Sequence, residues 1–459
     1  MQNGEQKSEN VCVIGAGPSG LACVKALRDR GVDCVCFERE DEVGGNWYFG
    51  RQGSSVYSGT HLISSKRQTE FADFSMPKEY PPFPSHQQAL DYLRAYACEF
   101  SLYQNIRLNT TVERVEPFCG ESSKSRETSG NSGTPTSSAT SGWSVFLRGS
   151  QSPQQFDRLI IANGHHWSPK RPEYPGDFAG ETLHSHDFKD PQVLHGKRVL
   201  VVGAGNSGCD IAVEAARHAD AAWISVRRGY HFLPKFLRGR PIDSAGIRLQ
   251  KLGLPLWMRR RVAGFMIKMA IGTPQRFGLP APDHQLFETH PIINSQLFYQ
   301  LGHGRLQVKG DIAHLRGDEI EFTDESRERV DLIVYATGFN VAFPFVEQRH
   351  LNWQAGLPQL HLHALHPERD DVFVVGMIQP NGGIWPLAEL QAKLIARCVE
   401  LDGLGEAGTG WLREQAIRAE RKSAGGIRFI DSPRHRIEVD YFTYREQLSK
   451  LLQHSMRLA

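Results

Sequence analysis

Two glycine-rich loops carry the clearest chemical signal in the sequence. One reads GAGPSG at residues 15–20 and the other reads GAGNSG at residues 203–208. Each loop follows a short apolar run and opens a helical pattern, which is the context that a dinucleotide fingerprint requires. In such a loop the phosphates meet the backbone N–H groups at the N-terminus of the helix. The sequence therefore predicts two separate dinucleotide sites.

The first loop is followed by a carboxylate. Its glycines permit a tight turn, a close approach of the backbone to a pyrophosphate, and packing of the helix on its strand. The next apolar run ends on Glu38, which is placed to accept hydrogen bonds from the adenosine ribose hydroxyls. We assign this site to FAD. The predicted loop contacts are Gly15, Gly17, Pro18, Ser19 and Gly20.

The second loop is followed by cations. Its next apolar run ends in Arg227 and Arg228, where the first ended in Glu38. A carboxylate would repel a 2′-phosphate, whereas guanidinium groups bind one through charge-assisted hydrogen bonds. The second site is therefore predicted to bind NADPH, and the alternative for the arginine pair is a solvated strand end. The predicted loop contacts are Gly203, Gly205, Asn206, Ser207 and Gly208.

A chain that binds both FAD and NADPH can pass a hydride from nicotinamide to flavin. The eight cysteines are scattered and form neither a CxxC pair nor a metal-ligand spacing. The dithiol of a disulfide reductase is therefore missing, and no metal site is predicted. Dioxygen is the simplest remaining electron acceptor.

These loops need two βαβ units to position them. The predicted strand, helix and strand of the first unit lie at 11–14, 21–30 and 32–37. The second unit is predicted from a strand at 199–202, a helix from the loop to about 218, and a strand at 222–226. An apolar strand at 331–335 then runs into ATGF. The predicted fold class is α/β, with two Rossmann-like dinucleotide-binding domains.

The NADPH domain is predicted to be inserted into the FAD domain. We expect the FAD domain at 1–164 and 336–459 and the NADPH domain at 165–335, with a substrate-side insert at about 230–295. Within that insert, 247–271 is predicted as a basic surface helix that packs its apolar side on the core. A lid over a substrate channel and contact with a membrane surface are the alternatives for this helix.

A small meander is predicted within the first piece of the FAD domain. Its strands are expected at 106–116, 143–148 and 156–161. A segment rich in Ser, Thr and Gly at 120–142 interrupts it, and we expect this insert to be disordered.

Composition excludes several classes of partner. The 459 residues carry 53 Lys and Arg against 51 Asp and Glu, so no whole-chain field attracts nucleic acid. The polar first ten residues do not read as a secretory signal, and no segment is long and apolar enough for a transmembrane anchor. We expect a cytoplasmic protein whose partners are a small substrate and O₂. The oligomeric state stays open, with a homodimer as one alternative.

Further motifs resemble those of flavin-containing monooxygenases. Residues 178–188 match the FxGxxxHxxx(Y/F) signature of that family and stand just before the second loop, as in its members. Phe188 ends the match, where the similar Baeyer-Villiger monooxygenases usually show Trp. Other matching segments, in the family's order, are 44–47, 163–166, 335–339 and 379–392.

The resemblance implies a mechanism and further site residues. In this family NADPH reduces FAD, NADP stays bound, and O₂ forms a flavin C4a-hydroperoxide that oxygenates a nucleophilic nitrogen or sulfur. His184 of the signature is expected to order the interdomain linker. The resemblance adds Gly45, Asn46, Trp47 and the backbone of Val112 to the FAD site, and Asp210 to the NADP site.

One position departs from the family's pattern. Many members have an asparagine near the flavin in a TNxSK-like stretch, and here that position falls on Ile63. Isoleucine cannot donate a hydrogen bond to the hydroperoxide or to NADP. Either Ser64, Ser65 or His61 substitutes for it, or the intermediate is less stable and releases peroxide.

Three alternatives to nitrogen or sulfur oxygenation therefore stay open. The first is Baeyer-Villiger oxygenation of ketones. The second is a largely uncoupled NADPH oxidase, which the isoleucine at position 63 favours. The third is a flavoprotein without catalytic activity that senses redox state or binds a partner.

Overall fold

Two five-stranded parallel sheets repeat one plan along the chain. The computed structural model describes residues 10–119, 141–251, 253–420, 426–430 and 436–458. In spatial order, the first sheet consists of Val372–Val374, Arg158–Ile161, Asn10–Ile14, Asp33–Phe37 and Ile106–Arg107. The second consists of Glu181–His184, Leu332–Tyr335, Arg198–Val202, Ala221–Ser225 and Gln307–Lys309. The predicted α/β class with two Rossmann-like units is confirmed.

The strand that precedes each fingerprint lies at the centre of its sheet. Residues 11–14 and 199–202 are buried, because helices and loops cover both faces of a parallel sheet. The first sheet takes an outer strand from residues 372–374, after all strands of the second sheet have been completed. The second unit is therefore inserted into the first, as predicted, while the domain bounds at 164 and 336 stay predictions.

Three helices pack together against the first sheet. The helix Pro18–Arg28 packs against Trp385–Gly403, which packs in turn against Tyr441–Ser455. Apolar side chains from all three share one buried cluster with the first sheet. The remaining helices of the described residues are Lys66–Thr69, His86–Glu99, Asn206–His218, Ile242–Lys251, Leu256–Ile271, Gln296–Gly302 and Gly408–Glu420. The prediction of one helix at 247–271 is wrong, because Pro255 is the N-cap residue of a separate helix.

Two of the strands predicted for the meander are each split between two sheets. The antiparallel meander consists of Val112–Cys119, Ser141–Leu147 and Gln154–Phe156, whereas Ile106–Arg107 and Arg158–Ile161 join the first parallel sheet. The first division falls at Asn109, whose φ of 51° turns the chain. The second falls at Asp157, whose carboxylate accepts a 3.1 Å hydrogen bond from the Asn10 amide. The prediction of continuous strands at 106–116 and 156–161 is wrong because these tertiary contacts override the local pattern.

The predicted insert at 120–142 lies almost wholly outside the described residues. Its last two residues belong to the strand Ser141–Leu147, so the insert ends earlier than predicted. A mixed sheet of four strands flanks the second unit and consists of Gly176–Phe178, Ile312–Gly317, Glu319–Phe322 and Arg327–Arg329. The first of these strands pairs parallel with the second, and the other pairings are antiparallel.

Candidate cofactor-binding site

The first fingerprint folds into a turn that only glycine fits. Gly15 has a φ of 100°, and its amide donates a 2.9 Å hydrogen bond to the Phe37 carbonyl. A Cβ on Gly20 would overlap the Gly15 carbonyl oxygen, so the helix lies directly on the turn. Gly17 is the N-cap residue and Pro18 begins the helix, which leaves the first-turn N–H groups without side-chain caps. An anion at this helix N-terminus would find free donors.

Glu38 is bound to the backbone of the fingerprint. One carboxylate oxygen accepts from the Ala16 amide at 2.7 Å and the other from the Glu40 amide at 3.0 Å. Burial raises the pKa of Glu38, and the two backbone hydrogen bonds oppose that rise. Each oxygen keeps a second lone pair, so the carboxylate retains capacity to accept from a ribose hydroxyl.

A second glycine turn closes over the fingerprint. The Gly44 amide donates to the Ala16 carbonyl at 3.0 Å, and a Cβ on Gly45 would come within 2.9 Å of the Gly17 Cα atom. This close backbone approach explains the glycine at 45, whose φ is 54°. The predicted FAD residues Gly17 and Gly45 are therefore neighbours in space.

Asn46 and Trp47 face the protein rather than open space. Asn46 Oδ1 accepts from the Ser55 amide at 2.7 Å and from the Ser55 hydroxyl at 2.8 Å. The Trp47 ring meets Trp385 edge to face with 5.8 Å between centroids. Both side chains contact other groups of the protein, and their predicted contacts with FAD stay predictions.

Val112 lies near Glu38, which follows the second strand of the first unit and which we call its acidic tip. The amides of Asn109 and Thr110 donate to the carbonyls of Glu40 and Glu38, at 2.9 and 2.8 Å. These bonds bring the start of the strand Val112–Cys119 next to Glu38. The predicted backbone contact of Val112 with FAD is therefore compatible with the position of the carboxylate.

The second fingerprint repeats the backbone geometry of the first. Gly203 has a φ of 104°, and its amide donates a 3.0 Å hydrogen bond to the Ser225 carbonyl. A Cβ on Gly208 would overlap the Gly203 carbonyl oxygen, as at the first fingerprint. Gly205 is the N-cap residue of the helix Asn206–His218, and Ser207 is exposed on its first turn.

The two arginines at the second tip have different surroundings. Arg227 is exposed, and within the described part of the chain no carboxylate lies in ion-pairing distance of it. Arg228 instead pairs with Asp283 at 3.1 Å, and hydrogen bonds from His284 and Arg228 lower the pKa of Asp283 to about 2. The sequence does not distinguish the two arginines, whereas in the structure Arg228 has a carboxylate partner and the exposed Arg227 has none among the described residues.

Asn206 and Asp210 tie the helix to a neighbouring segment. Asn206 Oδ1 accepts from the Ile293 amide at 2.8 Å, and Asp210 accepts from the Asn294 side chain at 2.6 Å. Burial raises the pKa of Asp210 to about 6, and Lys235 opposes that rise. Both side chains already have protein partners, so their predicted contacts with NADP stay predictions.

The stretch expected beside the flavin is held by side chains from both units. Ile63 is half-buried, and the Ser64 hydroxyl bonds to the Thr69 hydroxyl at 2.8 Å. The Ser65 amide donates to the carboxylate of Asp243 at 2.6 Å. His61, the third predicted substitute for the asparagine, is exposed. Ser64 is the hydroxyl nearest in sequence to Ile63, and it is already engaged.

Asp243 is a polar residue of this region that the sequence did not reveal. It lies at the start of the helix Ile242–Lys251, 178 residues beyond the serine that it binds. Its other oxygen, Oδ1, is buried and has no hydrogen-bond partner among the described residues. A buried carboxylate oxygen without a donor is costly, so this atom fits a donor on a bound molecule. Only the tertiary contact identifies it.

The comparison with known families agrees with this geometry. The model of the "Flavin-binding monooxygenase-like" family matches residues 8–458. The chain belongs to this family. It is thus a flavin-dependent monooxygenase, an oxidoreductase that uses FAD and NADPH, and the resemblance given by the sequence motifs is confirmed.

Several relatives and solved structures share nearly the whole chain. Flavin-containing monooxygenase 5 of Rattus norvegicus is 31% identical over 97% of this chain and 83% of its own length. Flavin-containing monooxygenase 2 of Homo sapiens is 32% identical over 85% of this chain and 73% of its own. Two structures share the fold. S-allyl-L-cysteine S-oxygenase from Allium sativum has a TM-score of 0.63 at 20% identity, covering 97% of this chain and 88% of its own. An open form of cyclohexanone monooxygenase has a TM-score of 0.67 at 17% identity, covering 98% of this chain and 98% of its own.

The signature of this monooxygenase family forms the junction between the two units. His184 is fully buried, its Nε2 lies 3.1 Å from the Gly338 carbonyl, and its Nδ1 accepts from the His186 amide at 3.0 Å. Nε2 therefore carries the proton, and burial lowers the pKa of His184 to about 4. Phe188 is also buried, 5.3 Å from the ring of Tyr57. A neutral histidine held between two backbone groups is compatible with the expected role of ordering the linker, which stays a prediction.

Proposed function

We propose that the monooxygenase places one oxygen atom from O₂ on a nucleophilic nitrogen or sulfur of a small organic substrate, with NADPH as reductant. The observation that carries this proposal is the pair of fingerprints with equal backbone geometry and opposite charge at their tips. The acidic tip suits a free ribose hydroxyl pair, and the exposed arginine suits a 2′-phosphate. Such a pair of sites lets a hydride pass from NADPH to FAD.

The first site fits FAD. The turn at Gly15 and the helix start at Gly17 form a cradle that a Cβ would fill, and Glu38 and the backbone of Val112 stand at its adenosine end. FAD bound there would accept the hydride and activate O₂, which is chemistry that side chains do not supply. We assign its binding to Gly15, Gly17, Pro18, Ser19, Gly20, Glu38, Gly45, Asn46, Trp47 and Val112.

The second site orients NADPH. Arg227 would bind the 2′-phosphate, and the exposed Ser207 would donate to the pyrophosphate at the helix N-terminus. We assign the binding to Gly203, Gly205, Asn206, Ser207, Gly208, Asp210, Arg227 and Arg228. We also retain the proposed domain bounds, with the FAD domain at 1–164 and 336–459 around the NADPH domain at 165–335.

A largely uncoupled NADPH oxidase is the second candidate. It is favoured by the half-buried Ile63, which has no hydrogen-bond donor, and by the Ser64 hydroxyl, which already pairs with Thr69. Oxygenation of ketones by insertion is a further alternative, which Phe188 in place of Trp disfavours.

Rapid mixing tests the leading proposal. Enzyme reduced anaerobically with NADPH is mixed with O₂, and the spectrum is followed during reoxidation. We expect a transient near-ultraviolet absorbance before the oxidised flavin returns, and ¹⁸O from ¹⁸O₂ in an amine or sulfide product. Reoxidation without a transient and without labelled product would contradict the monooxygenase proposal and leave the oxidase.

A substitution at position 63 separates the two candidates. Ile63→Asn adds a hydrogen-bond donor, and one bond worth about 1 kcal/mol slows decay of the transient about fivefold. Less peroxide should form for each NADPH consumed. Ile63→Leu conserves volume without adding a donor and serves as the control. Equal peroxide yields from Asn and Leu variants would show that position 63 does not govern coupling.

A further inference from the structure

The helix Ile242–Lys251 brings a carboxylate of the predicted substrate-side insert to the first unit. Just before this helix, the ring of Phe236 meets that of Phe83 edge to face, with 5.2 Å between centroids. Asp243 follows in the first turn, where its Oδ2 accepts from the Ser65 amide at 2.6 Å. These two contacts hold the carboxylate at the place where the insert meets the first unit.

The charge of Asp243 is not balanced by the protein. The side chain is half-buried, and its Oδ1 atom is buried without a hydrogen-bond partner among the described residues. Within the same residues no lysine, arginine or histidine lies in ion-pairing distance of it. Asp210, by contrast, accepts from Asn294 and has the charge of Lys235 nearby. Asp243 therefore has one neutral donor, the Ser65 amide, and no cation.

The charge of Asp243 acts on a neutral aromatic side chain. Burial raises the pKa of Tyr441, Arg445 opposes that rise, and the charge of Asp243 adds to it. Tyr441 is buried at the start of the helix Tyr441–Ser455. An aromatic side chain near a carboxylate favours an ammonium group, because the ring face and the carboxylate both attract a cation.

A cationic nitrogen on the substrate would supply both the missing donor and the missing charge. Hydrogen bonds between ammonium groups and carboxylates are among the strongest in proteins. Ser65 is two residues beyond Ile63, the position that the family resemblance places beside the flavin. We infer that Asp243 binds a cationic amino group of the substrate. This inference rests on the proposed function and names the class of molecule that the site accepts.

The amino group bound at Asp243 is not the atom that is oxygenated. A protonated nitrogen has donors but no free electron pair, so the oxygen atom must go to a second nucleophilic atom of the same molecule. A sulfide meets this requirement, because its sulfur stays unprotonated in water. The sulfide gains one oxygen atom of O₂ and becomes a sulfoxide, NADPH and a proton reduce the other oxygen atom to water, and the ammonium group is unchanged. The inferred substrates are therefore amino sulfides.

Equilibrium dialysis tests the inference independently of oxygenation. The probes are 3-(methylthio)propylamine and butyl methyl sulfide, which have the same chain length and differ in charge at neutral pH. Each is dialysed against the oxidised, FAD-loaded enzyme with NADP⁺ present. We expect the amine to bind at least tenfold more tightly than the neutral sulfide. Failure of the amine to bind, or equal binding of both probes, would overturn the inference.

Asp243→Asn separates the charge from the structural contact. Asparagine keeps an oxygen that accepts from the Ser65 amide, so the contact between the insert and the first unit is retained while the charge is lost. We expect the ratio of the two dissociation constants to fall about 10- to 100-fold, the range that one charge-assisted hydrogen bond supplies. The ratio of kcat/KM values for the two sulfides should fall likewise. A preference for the amine that survives the substitution would overturn the inference.

Asp318→Asn is the matched control. It removes an exposed carboxylate that pairs with Arg329 on the flanking four-stranded sheet, so it changes the net charge by the same amount. The preference for the amine should stay unchanged in this variant. An equal loss of preference in both variants would assign the effect to net charge and overturn the role of Asp243.

Anaerobic reduction by NADPH distinguishes the substrate from the nicotinamide as partner. If the neutral carboxamide of nicotinamide were the donor to Asp243, the Asn variant would need more NADPH for half-saturation and would keep its preference for the amine. That result would overturn the inference. Tight binding of the amine that the variant loses, together with no sulfoxide from the parent enzyme, would support recognition of the cation and contradict the proposed oxygenation instead.

Discussion

The two nucleotide-binding units have the same backbone and differ at the tips of their second strands. Gly15 and Gly203 have φ angles of 100° and 104°, and each donates its amide to the last residue of the neighbouring strand, Phe37 or Ser225. At the first tip Glu38 is buried and tied to the loop backbone. At the second tip Arg227 reaches solvent. We propose that the repeated backbone binds phosphate and that the residue at the tip decides which dinucleotide fits.

The helices that begin at the two fingerprints also differ in charge at one equivalent position. Two residues after the third glycine, the first helix carries Ala22, which is buried, and the second carries Asp210. Asp210 has Asn294 as partner and a raised pKa. An equivalent position can thus be a neutral packing site in one unit and a titrating site in the other.

Alanine at the third glycine of each loop should have the largest effect. Gly20→Ala should abolish retention of FAD, whereas Gly208→Ala should leave FAD in place and abolish reduction by NADPH. In both, the added Cβ overlaps a backbone carbonyl oxygen and moves the helix away from its strand, at a cost of roughly 3 kcal/mol. Flavin absorbance of the purified protein and its bleaching by NADPH are the measurements.

Gly410→Ala is the control for both substitutions. Gly410 lies in the helix Gly408–Glu420, and a Cβ there would meet no atom within 4 Å. This variant should keep both functions. If Gly208→Ala lost FAD as readily as Gly20→Ala, the assignment of one cofactor to each loop would be wrong.

Replacing the arginines at the second tip should change the preference of the enzyme for NADPH over NADH. Arg227→Ser should lower kcat/KM for NADPH about 10- to 100-fold, since a hydrogen bond to a charged group contributes about 1.5–3 kcal/mol, and should leave kcat/KM for NADH nearly unchanged. Arg228→Ser should have a smaller effect because that guanidinium is shared with Asp283. Steady-state kinetics with both nucleotides measure the difference. A larger effect at position 228 would reverse the roles given to the two arginines.

The titration of Asp210 should make the contribution of the second helix to stability depend on pH. Its folded pKa of about 6 lies above the unfolded value of 3.8, so the native state holds this proton more tightly. Stability from this group is thus present below about pH 4 and is lost as the pH rises through 6. Asp210→Asn should raise the free energy of unfolding by roughly 1–3 kcal/mol at pH 7.5 and have little effect at pH 4.

Denaturant unfolding at the two pH values measures this effect. Asp283→Asn is the comparison of opposite sign, because the pKa of Asp283 is lowered to about 2 and its contribution is lost only as the pH falls below 4. An equal gain from Asp210→Asn at both pH values would show that the carboxylate does not titrate as described.

Much of this comparison could be predicted from local sequence. The glycine spacing, the apolar strands and the residues Glu38 and Arg227 are read from short segments, because a turn of this geometry tolerates few residue types. The pairing of Arg228 with Asp283 and of Ser65 with Asp243 could not be predicted. Those partners are 55 and 178 residues apart, and nothing in the local pattern brings them together.

The division of the predicted strands has the same cause. Residues 106–116 read as one strand, yet Ile106–Arg107 pairs with the first sheet and Val112–Cys119 with the meander. Likewise, the exposure of Trp257 could not be predicted from an apolar pattern, because the pattern does not say which surface covers it. Sequence pattern thus specifies the units and their tips, and tertiary contacts specify which side chains are free to act.

Anaerobic reduction of the bound flavin by NADPH and by NADH tests the central claim most directly. The account predicts that NADPH bleaches the flavin at a half-saturating concentration at least about tenfold below that of NADH, the factor that one charge-assisted hydrogen bond supplies. Arg227→Ser should remove most of this difference while leaving the flavin bound. Equal reduction by both nucleotides in the parent enzyme, or a preference for NADH, would contradict the claim that the charge at the second tip selects the reductant.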